Sequence, residues 1–316
     1  MSKKQTKIFD IKGSAVLTTM AKERFSLTCA PGGENHAGME IIGRMPVKGE
    51  GFTATDLEGL SPYFMGLGHN SSVLNLNELG DVNKIKEFSI DDQARVIILR
   101  NWVQRAFEDS TVQEIYKELT ADKWDAEYLD PNKYRTEIVD GVETKVRGKR
   151  MNKLARTNLC YVAGREQEPE VMKGKGRIVD LKKKIMLYQV VESLKKMIAD
   201  GLIAIDSKSK VEINVVEGNR YYNLKKTGIG FHGDGERKKV VAANICDENV
   251  KREINWVWFK NSKPFGKRIR VELENGDCYI MSEKASGFDW KKRSIATLRH
   301  AAGKSDSKYL KIKDFN

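Results

Sequence analysis

The chain is short of the residues that make covalent or metal cross-links. Its four cysteines, Cys29, Cys160, Cys246 and Cys278, form no CxxC pair and keep no regular spacing. That argues against a disulfide framework or a thiolate zinc site and fits a reducing compartment. No apolar run reaches the roughly 18 residues a membrane span needs. The basic opening MSKKQTKIFDIKGSAVLTTMAKERF lacks an apolar core of signal-peptide length. The expectation is a soluble intracellular protein, of cytoplasm or nucleus, with no membrane partner. Histidine is also scarce: His36, His69, His232 and His300 are the full set. An imidazole-based site therefore has few ways to assemble.

Charge is plentiful, with 56 Lys and Arg against 44 Asp and Glu and a net charge of +12. A positive balance favours phosphate-rich partners, although a solvated basic surface gives the same number. Three basic clusters lie late in the chain: Arg237-Lys238-Lys239, Lys267-Arg268 with Arg270, and Lys291-Lys292-Arg293. Each reads equally well as a phosphate-tracking surface or as ordinary strand ends and loops.

Along the chain, residues 26–70 are glycine-rich and irregular, which suggests short strands joined by turns; His36 and His69 read as loop residues there. Ser89 to Leu119 carries an N-cap candidate at Ser89 and apolar positions Ile97, Val103, Phe107 and Ile115 on a helical face. Polar, basic stretches then suggest exposed hairpin tips or a linker, with a boundary near residue 175. DLKKKIMLYQVVESLKKMIADG predicts a helix capped by Asp180, apolar along Leu181, Ile185, Tyr188, Val191, Leu194 and Ile198, and stopped by Gly201. After it the period becomes alternating: VEINVVE, VVAANI, INWVWFK, RIRVEL and DCYIM read as strands, and Asn-Gly within ENGD signals a hairpin. The expected fold is α+β. A mixed region, 1–174, precedes a catalytic region, 175–316, built as a closed antiparallel sandwich or jelly roll.

GIGFHGDGERKKVV, residues 228–241, invites three readings: a phosphate loop, a tight turn, or half of a metal site. GIGFHG matches GxGxxG, but it follows no strand that opens a helix, as a dinucleotide fingerprint requires. A calcium loop fails because Asp234 and Glu236 lack the remaining ligands. In a strand, residues i and i+2 share a side, so His232 and Asp234 present imidazole and carboxylate together. One more histidine completes a 2-His-1-carboxylate triad for Fe(II), and His300 in TLRHAAG is the only one downstream. A turn histidine is the simpler alternative.

The chain from Asn219 onward resembles the AlkB-like branch of the iron- and 2-oxoglutarate-dependent dioxygenases. The resemblance runs through NRYYNLKKTGIGFHGDGER, NGDCYIM and TLRHAAG, in the family's order, over roughly the last third of the sequence. It implies a double-stranded β-helix in which His232, Asp234 and His300 hold Fe(II), while Asn219 and Tyr221 contact 2-oxoglutarate. The family places two arginines on its last strand for the cosubstrate carboxylates, yet no arginine follows His300. Lys311 and Lys313, which alternation would turn to the pocket, are the substitutes; a frayed basic tail is the alternative. The implied reaction consumes O2 and 2-oxoglutarate, releases succinate and CO2, and oxidises a C–H bond. On an N-methyl base it would release formaldehyde. The implied partner is DNA or RNA, and a duplex would need base flipping. Phe231, Glu236 and Arg237 are candidate substrate contacts. Trp290 is a further aromatic suited to stacking a base, whereas Trp256 and Trp258 share a face and suit a core. Hydroxylation of a protein side chain or small molecule, or non-catalytic nucleic-acid binding, are the alternatives.

Overall fold

RVIILR, residues 95–100, is apolar at four successive positions, which suits a strand covered on both faces. The computed structural model, which describes residues 7–9, 15–17, 23–83, 93–246, 251–313 and 315, has it so. In chain order the first elements are β1 (Lys7–Phe9), β2 (Ala15–Leu17), β3 (Arg24–Ala30), β4 (Gly32–Glu34), β5 (Ile41–Gly43), α1 (Ala54–Gly66), β6 (Asn70–Asn75), α2 (Leu76–Leu79), β7 (Arg95–Arg100), α3 (Trp102–Ala106) and α4 (Ser110–Thr120). Next come β8 (Glu127–Val139), β9 (Val142–Asn152), β10 (Thr157–Val162), β11 (Ile178–Asp180), α5 (Ile185–Ala204), β12 (Val215–Tyr221), β13 (Ile229–His232) and β14 (Val240–Cys246). The last are β15 (Arg252–Lys260), β16 (Lys263–Leu273), β17 (Cys278–Met281), α6 (Glu283–Ser286) and β18 (Thr297–Gly303).

The fold is α+β and strand-rich. An eight-stranded sheet runs β11-β10-β12-β3-β14-β17-β7-β6, and a four-stranded sheet runs β13-β18-β15-β16. Only the β10–β11 pair in these two sheets is parallel. Alternation splits the large sheet between two cores. Phe25, Leu27, Ile97, Leu99, Val241 and Ile280 pack against α1, α4 and α5 through Leu57, Leu60, Ile115, Leu194 and Ile198. Val96, Ile98, Val240, Ala242 and Met281 face the small sheet, meeting Ile254, Trp256, Trp258, Val271 and Leu298. The result is three layers: helices, large sheet, small sheet. No helix among the described residues is long and apolar enough to cross a membrane.

Several expectations are corrected. The helical segment expected from Ser89 is instead strand β7 followed by α3 and α4, because the apolar run is buried on both sides; Ser89 itself lies outside the described residues. The boundary at 174/175 does not divide the fold, since β3, β6 and β7 pair within the same sheet as β12, β14 and β17. Asn275-Gly276 does form a turn, with Gly276 at φ +78°, but it carries the chain from the small sheet to the large one and closes no hairpin. The hairpin turn is at Asn261-Ser262, both with positive φ, between β15 and β16. Asp180 caps a 3₁₀ turn, Leu181–Lys183, ahead of α5. Gly201 lies inside α5, where the missing side chain admits Leu60 and Tyr63 of α1.

The two buried tryptophans of β15 differ in one respect. Trp258 Nε1 donates to Leu76 O at 3.0 Å, whereas Trp256 Nε1 has no acceptor among the described residues. Trp258→Phe should therefore destabilise more than Trp256→Phe, by about 1 kcal/mol, in paired urea titrations. Equal losses would contradict the assignment.

Candidate metal centre and its cavity

Alternation along β12 sends Val216 into the helix-side core and turns Glu217, Asn219 and Tyr221 into the space between the sheets. Ser26 and Thr28 of β3 and Tyr279 of β17 join them. Here the apolar packing between the sheets gives way to a cavity of about 560 Å³, within the about 300–1,000 Å³ of small-molecule sites.

The opposite wall is β13 and β18, which pair with His232 directly across from His300. Cross-strand partners project on one side, and the two rings lie 4.4 Å apart between centroids. Asp234 follows two residues after His232, held by its own N–H donating to Ser286 O at 3.0 Å. Gly233 makes that approach feasible: a Cβ there would sit 2.1 Å from Gly287 O. His232 Nε2 and His300 Nε2 each lie 3.7 Å from the same oxygen, Asp234 Oδ1. One ligand atom from each of the three falls within 4.8 Å of the others. Two such donors bound at about 2.1 Å to one ion would be roughly 3–4 Å apart, so the group needs only slight contraction.

The donor chemistry fits a metal as well. His232 Nδ1 is 2.8 Å from Gly230 O, an acceptor, so Nδ1 carries a proton and Nε2 is the nitrogen turned to Asp234. Burial, His232 and Arg237 hold the His300 imidazole well below its ordinary pKa, hence neutral. Burial pushes the Asp234 carboxyl up, against the pull of Arg237 and His232. Arg237 is buried beside it and pairs with Glu217 and Glu236. Burial alone would raise Glu217, but Arg237 and Arg156 outweigh it and hold it low. Two imidazoles and one carboxylate on one side of an ion leave several coordination positions free.

The other expected site residues fare unequally. Asn219 and Tyr221 line the cavity; Asn219 Oδ1 accepts from Asn158 at 2.6 Å and from Arg156. Glu236 and Arg237 line it too. Lys311 and Lys313 do not: both are exposed, because the chain after β18 forms a 3₁₀ turn at Lys308–Leu310 instead of a further strand. Phe231 points away from the cavity, as its position next to His232 in a strand requires, and its ring lies 6.4 Å from Phe259. Lys238 and Lys239 are buried, so the Arg237-Lys238-Lys239 cluster is not a surface patch. Trp256 and Trp258 are core residues, and Trp290 is at the cavity wall.

Four residues went unread. Glu34, His36 and Arg156 reach the cavity from the first half of the chain, and no local pattern marked them. His36 stacks on Tyr128 at 3.7 Å, and burial with Arg156 lowers its pKa to about 4. Arg252 is buried, its guanidinium lying 3.3 Å over the centre of the Tyr221 ring and donating to Ala302 O at 2.8 Å. No carboxylate among the described residues pairs with it. The signal was present: Arg252, Ile254, Trp256 and Trp258 alternate onto one face of β15.

Burial, then Glu236 and Glu217, raise Glu34 from 4.5 to about 7. The folded state thus prefers it protonated, and the cost of ionising it grows as pH rises between those two values, then stays constant. Glu34→Gln removes that cost. It should stabilise the protein by about 1–2 kcal/mol near pH 8, after discounting for partial exposure, and by little near pH 4. Urea midpoints at the two pH values check this; a pH-independent difference would contradict it.

No protein-family model matches the chain. It is 31% identical over 285 residues to the uncharacterized protein R156 of Acanthamoeba polyphaga mimivirus, a match covering 90% of this chain and 97% of that protein. A match of that length takes in both halves of the large sheet, and on it the chain belongs to the same family as the mimivirus protein.

Proposed function

We propose that the protein is an Fe(II)- and 2-oxoglutarate-dependent dioxygenase of the AlkB-like kind, oxidising a nucleic-acid base. The observation that carries this is the convergence of His232, Asp234 and His300 on one point at the wall of a polar cavity between two facing sheets. Those sheets support reading the fold as the double-stranded β-helix that the resemblance implies. Bound iron with 2-oxoglutarate and O2 supplies oxidation of a C–H bond, with succinate and CO2 as co-products.

The chain's own residues do the rest. His232 and His300 offer Nε2 atoms that face Asp234, and Asp234 a carboxylate steadied by Arg237 at 3.9 Å. Asn219 and Tyr221 stand side by side on β12 for the cosubstrate. Its distal carboxylate falls to Arg252 instead of Lys311 or Lys313. A buried guanidinium with no carboxylate partner among the described residues, stacked on a cavity tyrosine, is an anion site in waiting. His36 and Trp290 supply ring faces at the cavity for a base, and Glu34 and Glu236 supply acceptors or, for protonated Glu34, a donor.

Anaerobic addition of Fe(II) and 2-oxoglutarate to the metal-free protein should produce a visible charge-transfer band, lost in His232→Ala and Asp234→Ala. Absence of the band in folded wild-type protein would sink the proposal. Arg252→Ala should leave Fe(II) binding intact but raise the 2-oxoglutarate concentration for half-maximal absorbance about tenfold or more, as loss of a charged hydrogen-bond donor implies. An unchanged titration would remove Arg252 from the site.

A further inference from the structure

The β8–β9 hairpin projects as a two-stranded ribbon whose two faces are built differently. Its register sets Tyr128 opposite Met151 and Asp130 opposite Lys149 and, past an irregularity between Asp130 and Tyr134, Tyr134 opposite Arg147, Thr136 opposite Lys145 and Ile138 opposite Glu143; even spacing along β9 and the contact of Arg147 with Tyr134 assign these to one face. The other face carries Leu129 with Arg150, Arg135 with Val146, and Glu137 with Thr144.

On that second face the cations are already neutralised. Arg135 pairs with Glu137 at 2.6 Å and Arg150 with Glu127 at 3.6 Å. At its root, Gly148 is buried and Leu129 packs toward Gly174 of the neighbouring turn. On the first face, Lys145, Arg147 and Lys149 are exposed, and no carboxylate among the described residues forms an ion pair with them, although Asp130 and Glu143 share the face. Between them stands Tyr134, 52% exposed, its hydroxyl accepting from Arg147 Nε at 3.3 Å. The same face begins at Tyr128, which stacks on His36 at the cavity. A row of three unneutralised cations with an exposed aromatic thus leads directly to the mouth of the site.

We propose that this face of the ribbon is a docking surface for a nucleic-acid strand, with Lys145, Arg147 and Lys149 on the phosphates and Tyr134 stacking a base. Cations that follow a backbone, interleaved with an aromatic platform, are what single strands recognise. The proposal rests on the nucleic-acid reading of the cavity and says where the strand enters it.

The test is fluorescence-anisotropy titration of a short labelled single-stranded DNA of mixed sequence, over a series of salt concentrations and without added metal. The triple variant Lys145→Ala/Arg147→Ala/Lys149→Ala should bind about tenfold or more weakly at low salt. Its dependence of log affinity on log salt should be shallower by about 2, the value for three lost phosphate contacts on a single strand. Tyr134→Ala should weaken binding about fivefold or more. A control with equal charge loss, Lys196→Ala/Lys208→Ala/Lys210→Ala, should bind as the wild type does, since none of its positions lies on the β8–β9 ribbon. Binding by the triple variant equal to wild type would overturn the ribbon assignment and leave the nucleic-acid reading standing. Failure of the wild type itself to bind at low salt would overturn both, whereas the metal centre is judged separately by its absorption band.

Discussion

Strand β3 is hydrogen-bonded along both edges, to β12 on one side and β14 on the other. Without it the large sheet would fall into two pieces, and the cavity floor would open between Asn219 and the strands beyond. The inserted strand carries both layers at once: Phe25, Leu27 and Cys29 enter the helix-side core, while Ser26 and Thr28 face the cavity. A segment near the start of the chain therefore completes a site whose metal-ligand candidates all lie near its end. That dependence fits a family likeness running along 90% of the chain and not only along its last third.

The chemistry of the site follows from how burial is offset. Asp234, Glu217 and Arg237 are all buried within the cavity wall. Unpaired, such charges would cost several kcal/mol each; pairing with Arg237 holds the Glu217 carboxyl low and offsets part of the burial that pushes Asp234 up. Arg237, shared by Glu217, Glu236 and Asp234, is the cation around which this balance is arranged. His300 solves the same problem by staying neutral, which is also the state a metal needs. Arg252 differs, a buried cation set against an aromatic ring and a carbonyl oxygen. In the proposed enzyme a carboxylate of the cosubstrate fills that role.

How much of this could be read from the sequence varies with the range of the interaction. β12, β14, β15, β16 and β17 were legible because alternation is local, whereas β13 and β18 were not read as strands; His232, Asp234 and His300 stood out because histidine is so scarce. The helix expected over Ser89–Leu119 holds at α3 and α4 but fails at β7, because a run buried on both faces loses its alternation and looks like any apolar segment. The Asn-Gly turn was found but its topology was not, since a turn's dihedrals do not say which sheet the next strand joins. Lys311 and Lys313 were assigned by assuming a strand where the chain makes a 3₁₀ turn. Glu34, His36 and Arg156 reach the cavity only through long-range pairing, which leaves no mark on neighbouring residues.

The central claim is that three side chains from two paired strands and the turn after one of them form a single metal centre. Crystals grown anaerobically with Fe(II), with anomalous diffraction recorded at the iron edge, test it most directly. The account predicts one peak at about 2.0–2.2 Å from His232 Nε2, His300 Nε2 and an Asp234 carboxylate oxygen, with the remaining positions facing Asn219, Tyr221 and the cavity. A peak elsewhere, or a metal held by fewer than these three groups, would contradict it.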